Sequence, residues 1–274
     1  MLEEKTSVDY AFLDSGTGGI PYMLYLKKIN PSVKCVYLGD TKNFPYGTKS
    51  REQIIENAKW AVRKILDFWN PKAIVVACNT ISVTALEELR KEFTDIPFVG
   101  TVPAIKLAAK ISKSKNIGLL ATDATVNHEY TKKLILDFAS DCNVYSRGDA
   151  QLISFIEKKL FTASEEEKKD ALMPAINYFA SKNCDTIVLA CTHFIHMAEE
   201  IAFYAGKKIT VIDSREGVAK QALRIEGLEP SANKSLSQVQ DKMTLYVTGK
   251  TKSSDEEEYL ALCKREGLFW GGTL

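Results

Sequence analysis

The sequence has no apolar run approaching the ~18 residues a membrane-spanning helix needs, and its opening, MLEEKTSVDY, is polar where a secretory signal carries an apolar core. Both absences point to a cytoplasmic protein with no membrane partner. Net charge is lacking too. Lys and Arg number 36 against 35 Asp and Glu, a balance of +1 with the basic residues dispersed, so no face is set aside for nucleic acid. No CxxC pair marks a zinc site, and six cysteines in 274 residues are too sparse for the disulfide framework of a small secreted domain. They are expected as free thiols in a reducing compartment.

What remains is an ordinary globular composition, 45% hydrophobic and 26% charged, in a chain long enough for two modest domains. Short Val/Ile/Leu-rich runs recur at 9–13, 34–38, 73–77, 98–100, 117–120, 144–145, 186–190 and 209–212. Between most of them lie stretches of helical spacing, such as 50–68, 82–93 and 104–111. Continuous apolar strands alternating with helices predict an α/β fold of mainly parallel, doubly wound sheets buried on both faces.

The chain also repeats itself. FLD at 12–14 aligns with LAT at 120–122 and VY at 36–37 with VY at 144–145, both 108 residues apart. VVACNT at 75–80 aligns with VLACTH at 188–193, and PFVGT with ITVID, both 113 apart. The common order predicts two related α/β domains, the first from 1–100 plus 213–274 and the second from 101–212. The tail, with an apolar run at 243–247 and a capping-box helix start at 254–257, is expected to pack back on the first domain. The charge run at 165–169 reads as a solvated helix face.

Ligand sites in such sheets lie beyond the carboxyl ends of the strands, and both ACxx segments fall there. A thiol at a helix N-terminus is held toward thiolate by the macrodipole, which suits it to act as a base. A single buried Cys is as well read as an inert small hydrophobe. Cys78 and Cys191, however, occupy equivalent strand ends, whereas Cys35, Cys142, Cys184 and Cys263 have no counterpart under the repeat. Two opposed thiols suit a reaction that removes a proton from one face of a carbon and returns one to the other, as in inverting an amino-acid α-carbon.

The turn Asp14-Ser15-Gly16-Thr17-Gly18-Gly19 follows the first strand. It lacks the P-loop Lys and the GxGxxG spacing, so a substrate carboxylate is a more economical ligand than a nucleotide. Asp14 reads as an assistant to a nearby thiol or as a helix cap, and His193 as the matching assistant in the second half. Tyr46-Gly47-Thr48 enters a helix, and its N–H groups and the Thr48 hydroxyl suit a second anionic group or an ordinary turn.

Together DSGTGG at 14–19, PYGTKS at 45–50, ACNT at 77–80, ACTH at 190–193 and IDS at 212–214 resemble the bacterial glutamate racemases of the aspartate/glutamate racemase group. The resemblance implies two pseudosymmetric flavodoxin-like domains with the site between them. It also implies interconversion of L- and D-glutamate without pyridoxal phosphate, metal or other cofactor, feeding peptidoglycan synthesis, in a homodimer. By similarity Cys78 and Cys191 are the catalytic thiols assisted by Asp14 and His193. Asp14, Ser15, Tyr46, Gly47, Asn79, Thr80, Thr122, Thr125, Thr192 and His193 surround the substrate.

Three departures carry expectations. Ile195 stands where the family has proline, so the following helix starts differently. Ser146-Arg147-Gly148-Asp149 replaces an acidic motif, leaving the family's extra active-site glutamate without a counterpart. Only about eight residues precede the first strand, so dependence on a peptidoglycan precursor is not expected. Three alternatives stay open at this level: an aspartate racemase, a non-catalytic carboxylate-binding protein of the same fold, and a redox thiol pair.

Overall fold

The computed structural model describes residues 5–225, 243–249 and 253–274. The chain divides into two compact units, Met1–Thr101 with Arg215–Leu274, and Val102–Ser214.

In the first unit, β1 (Thr6–Asp14), α1 (Ile20–Ile29), β2 (Cys35–Gly39), α2 (Arg51–Phe68), β3 (Trp69–Val76), α3 (Asn79–Glu92) and β4 (Phe98–Gly100) alternate. The second unit holds α4 (Ile105–Ile111), β5 (Asn116–Ala121), α5 (Asp123–Asn127), α6 (Glu129–Phe138), β6 (Asn143–Gly148), α7 (Ala150–Lys158), α8 (Glu165–Ser181), β7 (Thr186–Leu189), α9 (Ala198–Ala205) and β8 (Thr210–Ile212). The chain then returns to the first unit with α10 (Arg215–Ile225), β9 (Thr244–Val247), α11 (Ser253–Glu266) and β10 (Phe269–Thr273). Here the tail adds two strands to the sheet, which runs β10-β9-β2-β1-β3-β4, while the second sheet runs β6-β5-β7-β8. Every strand pairing among the described residues is parallel.

Parallel strands need helical crossovers, and the sequence supplies them with clear start signals. Ser50 caps α2 in a capping box with Gln53, and α2 then buries Ile54, Ala58, Ala61, Val62 and Ile65 along one stripe against the sheet. Ser164 and Glu167 form the same device at α8, whose acidic start is exposed as expected. The Ser254 side chain, part of the box expected for α11, lies outside the described residues. Strands β2 and β7 are buried along their whole length, as strands covered on both faces should be. Each fully buried Leu or Ile among them stabilises the fold by about 1.5–3 kcal/mol.

The repeat holds, with its register corrected. The order β2-β1-β3-β4 recurs as β6-β5-β7-β8. At the strand ends Ala77 N donates to Leu13 O and Ala190 N to Leu120 O, while Asp40 N donates to Asp14 O and Asp149 N to Ala121 O. Leu13 therefore corresponds to Leu120, 107 residues on, and Asp40 to Asp149, 109 on; the third strands keep the expected 113. The offset of 108 was one residue too long for the first strand and one too short for the second, and a one-residue slip reverses every side chain. Asp14 thus matches Ala121, not Thr122. The matched VY pairs misled because β-branched and aromatic residues recur in any strand.

The faithful marker is Gly39-Asp40 and Gly148-Asp149. A Cβ on Gly39 would lie 2.7 Å from Gly16 O, and one on Gly148 would lie 1.9 Å from Asp123 Oδ1. In each unit the turn leaving the first strand crosses over the end of the second: at Gly39 the backbone leaves room for glycine alone, and at Gly148 a Cβ would have to displace the Asp123 carboxylate.

Candidate active site

Cys78 is the N-cap residue of α3 and is 5% exposed, and Cys191 caps the 3₁₀ turn Thr192–Met197 that precedes α9, also 5% exposed. Both have extended backbone, with φ/ψ of −144°/118° and −132°/135°. A strand that must turn into a helix places its last extended residue at the N-cap, which is why each thiol sits at the first turn of the helical segment that follows it. The turn after Cys191 starts as a 3₁₀ segment, whereas α3 starts at once at Asn79.

Around Cys78, Sγ lies 3.9 Å from Ser15 Oγ, which donates to Asp14 Oδ1 at 3.3 Å. Asp14 Oδ1 also accepts from Ser15 N at 2.6 Å, so the carboxylate fixes the glycine turn and does not cap α1, whose N-cap is Gly19. Tyr37, not foreseen from sequence, ties the same turn together: its hydroxyl donates toward Asp14 Oδ2 (3.3 Å) and Gly16 O (2.9 Å) and accepts from Gly19 N at 2.9 Å. Gly19 is needed for close approach, since a Cβ there would meet Ala77 O at 2.5 Å. Asn79 is 2% exposed, and neither Nδ2 nor Oδ1 of its amide has a hydrogen-bond partner among the described residues. An amide buried in that way costs about 1–3 kcal/mol unless a ligand satisfies it. Thr80 is buried beside it.

Tyr46 is buried and Gly47 half-exposed in the 3₁₀ turn Tyr46–Thr48. The Thr48 hydroxyl closes its own turn onto Pro45 O at 3.3 Å, so it serves the turn and not an anion. Tyr46 donates to Asp40 Oδ2 at 2.6 Å; burial first, and then the Asp40 charge, push its phenol far above the ordinary range.

In the second unit Cys191 Sγ lies 3.8 Å from His193 Nδ1, and His193 Nε2 lies 2.9 Å from Glu157 Oε2. All three are buried. Burial alone would lower the imidazole's pKa, but the hydrogen bonds and charges of Cys191 and Glu157 outweigh it and hold it well above 6.5. Glu157 corrects the expectation of a missing acidic partner. The carboxylate comes not from 146–149 but from the buried stripe of α7, beside Leu152, Ile153 and Ile156. Asp149 instead caps α7 through Leu152 N and holds Arg147. Thr192 is buried next to Cys191. Thr122 caps α5, and its hydroxyl donates to the Thr125 hydroxyl at 3.0 Å. These two lie at the end of β5, adjacent to β7, which leads to Cys191.

Two features of the sequence mark these positions. Glu157 follows Ile153 by four residues, which puts an acid on an apolar helix stripe. The Gly-Asp pair ends the second strand of both units.

In each unit one thiol stands just past the carboxyl end of a strand, at the N-cap of the helical segment that follows, with a buried polar side chain within 4 Å, and this defines a two-unit α/β protein with matched strand-end thiols. The profile of the Asp/Glu/Hydantoin racemase family matches residues 25–222. The glutamate racemase of Treponema pallidum subsp. pallidum is 38% identical over 274 residues, 100% of this chain and 99% of that one. That of Shewanella frigidimarina is 40% identical over 223 residues, 81% and 85% of the two chains. The crystal structure of Escherichia coli glutamate racemase in complex with L-glutamate and the activator UDP-MurNAc-ala superposes with a TM-score of 0.82 at 30% identity, over 99% of this chain and 98% of that one. The chain belongs to the Asp/Glu/Hydantoin racemase family. No helix among the described residues is long and apolar enough to cross a membrane.

Proposed function

We propose that this protein is a glutamate racemase that interconverts L- and D-glutamate by two-base proton transfer at Cα, without a cofactor. Cys78 works on one face of the substrate and Cys191 on the other. The observation that carries this reading is the matched pair of thiols: equivalent strand ends, equivalent backbone, and an assistant at each. The curated relatives in T. pallidum and S. frigidimarina, both glutamate racemases, support glutamate as the substrate.

The reaction asks one thiolate to take the weakly acidic α-proton while the opposite thiol delivers one. At Cys191 the His193 imidazolium, oriented by Glu157, stabilises the thiolate before the proton arrives and can pass a proton to the thiolate when the direction reverses. At Cys78 the helix dipole of α3 favours negative charge, and Ser15 and Asp14 form a hydroxyl-to-carboxylate path. Negative charge developing on the substrate carboxylate needs preorganised donors, and the Asn79 amide with the N–H groups opening α3 supplies them. The Tyr46-Gly47 turn, Thr80, Thr122, Thr125 and Thr192 complete the binding set, and D-glutamate is delivered to peptidoglycan synthesis. The protein works as a cytoplasmic homodimer, to be checked by sedimentation.

The test is racemisation and isotope uptake together, in deuterated water with chelator-treated protein and each enantiomer of glutamate and aspartate. Both glutamate enantiomers should invert, with deuterium at Cα of the inverted product. Aspartate, one methylene shorter, should turn over about 10–200-fold less efficiently. Cys78→Ser should reduce racemisation by about 10²–10⁴-fold while the fold persists. Wild-type turnover in that variant would refute the assignment.

A further inference from the structure

Asp40 is fully buried and directly follows Gly39, the last residue of β2. Its carboxylate is saturated by side chains from three places in the first unit. Tyr46 donates its hydroxyl to Oδ2 at 2.6 Å, Asn43 Nδ2 reaches both oxygens at 2.9 and 3.2 Å, and the Thr248 hydroxyl donates to Oδ1 at 2.6 Å. Its N–H donates to Asp14 O at 2.8 Å, so the same residue is bonded to the end of β1. Thr248 comes from the C-terminal segment, 208 residues away, directly after β9. It is only 1% exposed, accepts from Lys42 N at 3.0 Å, and its own N–H donates to Gly39 O at 3.0 Å. Gly249 lets the chain pass: its φ is +80°, and a Cβ there would lie 2.9 Å from Lys42 Cβ.

A carboxylate buried on this scale is tolerated only when hydrogen-bonded, and this one is bonded to the turn that carries Tyr46 and Gly47. We infer that Asp40 is a positioning residue that locks the Tyr46-Gly47 turn into its substrate-binding conformation, with Thr248 of the C-terminal segment as its second anchor. This rests on the proposed reading of that turn as part of the glutamate site. The second unit offers a contrast: the equivalent Asp149 spends its carboxylate on Leu152 N and Arg147, as a helix cap. The Asp40 clamp is therefore a feature of the first unit alone. It also gives the tail, which carries neither thiol, a defined part in binding.

The role separates from simple stabilisation by where the kinetic loss appears. A positioning role in ground-state binding raises KM with little change in kcat, whereas lost stability lowers the amount of folded enzyme and leaves KM alone. Asp40→Asn and Thr248→Val are each expected to raise KM for both glutamate enantiomers by about tenfold, with kcat within about threefold, and Thr248→Ser is expected to restore KM. Adding Tyr46→Phe to Asp40→Asn should give no further increase, because both act on one hydrogen bond. Unchanged KM in the folded variants, whatever their melting temperatures, overturns the inference, as does an additive double variant. If Asp40→Asn does not fold, Thr248→Val with its Ser rescue and Tyr46→Phe decide by the same criterion. If the wild-type protein does not racemise glutamate, the functional reading fails first. Calorimetric titration with L-glutamate then tests the clamp alone, and a wild-type Kd unaffected by Thr248→Val, or no glutamate binding at all, overturns it too.

Discussion

Cys78 and Cys191 occupy the same place in two sheets of the same strand order, yet they are supported by different chemistry. Cys78 caps a 14-residue helix and has a hydroxyl and a carboxylate nearby. Cys191 caps a six-residue 3₁₀ turn and has a buried imidazole braced by Glu157. Position 14 in the first unit is Asp, and its ladder equivalent in the second is Ala121. What a repeated fold preserves is the strand end that presents the thiol. The assistant arrives from wherever the local chain allows, from β1 in one unit and from α7 with the turn after Cys191 in the other. A longer helix dipole on one side is matched by an imidazolium on the other, so each thiol has a cationic influence of its own kind.

The sharpest way to break this comparison is to remove one thiol at a time and follow α-proton exchange with each enantiomer separately. Cys78→Ser and Cys191→Ser should each lose racemisation by about 10²–10⁴-fold. Each should retain slow solvent exchange with a single enantiomer, and the two variants should retain opposite ones. If both exchange the same enantiomer, the thiols do not serve opposite faces.

The assistants come next. Asp14→Asn and His193→Gln should each lower kcat/KM by about 10²-fold, at the lower end of what acid–base groups contribute. Enantiomers have equal free energy, so the equilibrium constant is unity and any variant must lower kcat/KM equally in both directions. The difference between the two assistants must therefore appear in kcat and KM taken separately, with the two variants slowing opposite directions. Steady-state kinetics from both enantiomers reads this directly, and identical patterns would mean that the assistants are not tied to separate thiols.

Glu157→Gln probes the brace behind His193 and should cost less, about tenfold in kcat. His193 is held above 6.5 in the folded protein, so its contribution to stability is fully present below that value and is lost as pH rises through the folded pKa. With a neutral amide in place of the carboxylate, the folded pKa should fall, and the loss of stability should move to lower pH. The chain has three histidines, His128, His193 and His196, so the titration is open to NMR of the imidazole C–H signals. An unmoved His193 signal would mean that Glu157 does not set its charge.

Most of the first member of each pair was legible in the sequence, and most of the second was not. Strand-end thiols, a glycine turn and CTH are local: a few residues fix both the backbone and the chemistry. Cys78, Cys191, Asp14 and His193 could therefore be picked out as candidates from spacing. Glu157, Tyr37 and Thr248 act from a neighbouring helix, a neighbouring strand and a distant tail; Glu157 is marked in its own segment only as an acid on an apolar stripe, and Tyr37 and Thr248 only by burial, which the chain reveals once folded. The register error had the same origin. Strand interiors repeat by composition, whereas the Gly-Asp ends are fixed by a steric contact between two turns.

The smallest predicted effect lies at the opposite, amino ends of the second sheet's strands, where an aspartate does a different job. Asp185 precedes β7 and accepts from Ser112 Oγ, Lys113 N, Ser114 N and Thr186 Oγ1 at 2.6, 2.7, 2.6 and 3.0 Å. Partial burial alone would raise its pKa, but these donors outweigh it and bring the carboxyl down from 3.8 to about 2. A depressed pKa stabilises the fold above the unfolded value and is lost as pH falls, here between about 4 and 2. Discounted for its partial exposure, the contribution is about 1–2 kcal/mol. Asp185→Asn should lower stability by that amount at neutral pH in a denaturant titration, flatten the acid limb of the stability curve, and leave kcat and KM untouched. Carboxylates at the carboxyl ends of the strands are thereby separated from one at the amino ends by assay, not by chemistry. A variant that kept its stability but lost activity would erase that distinction.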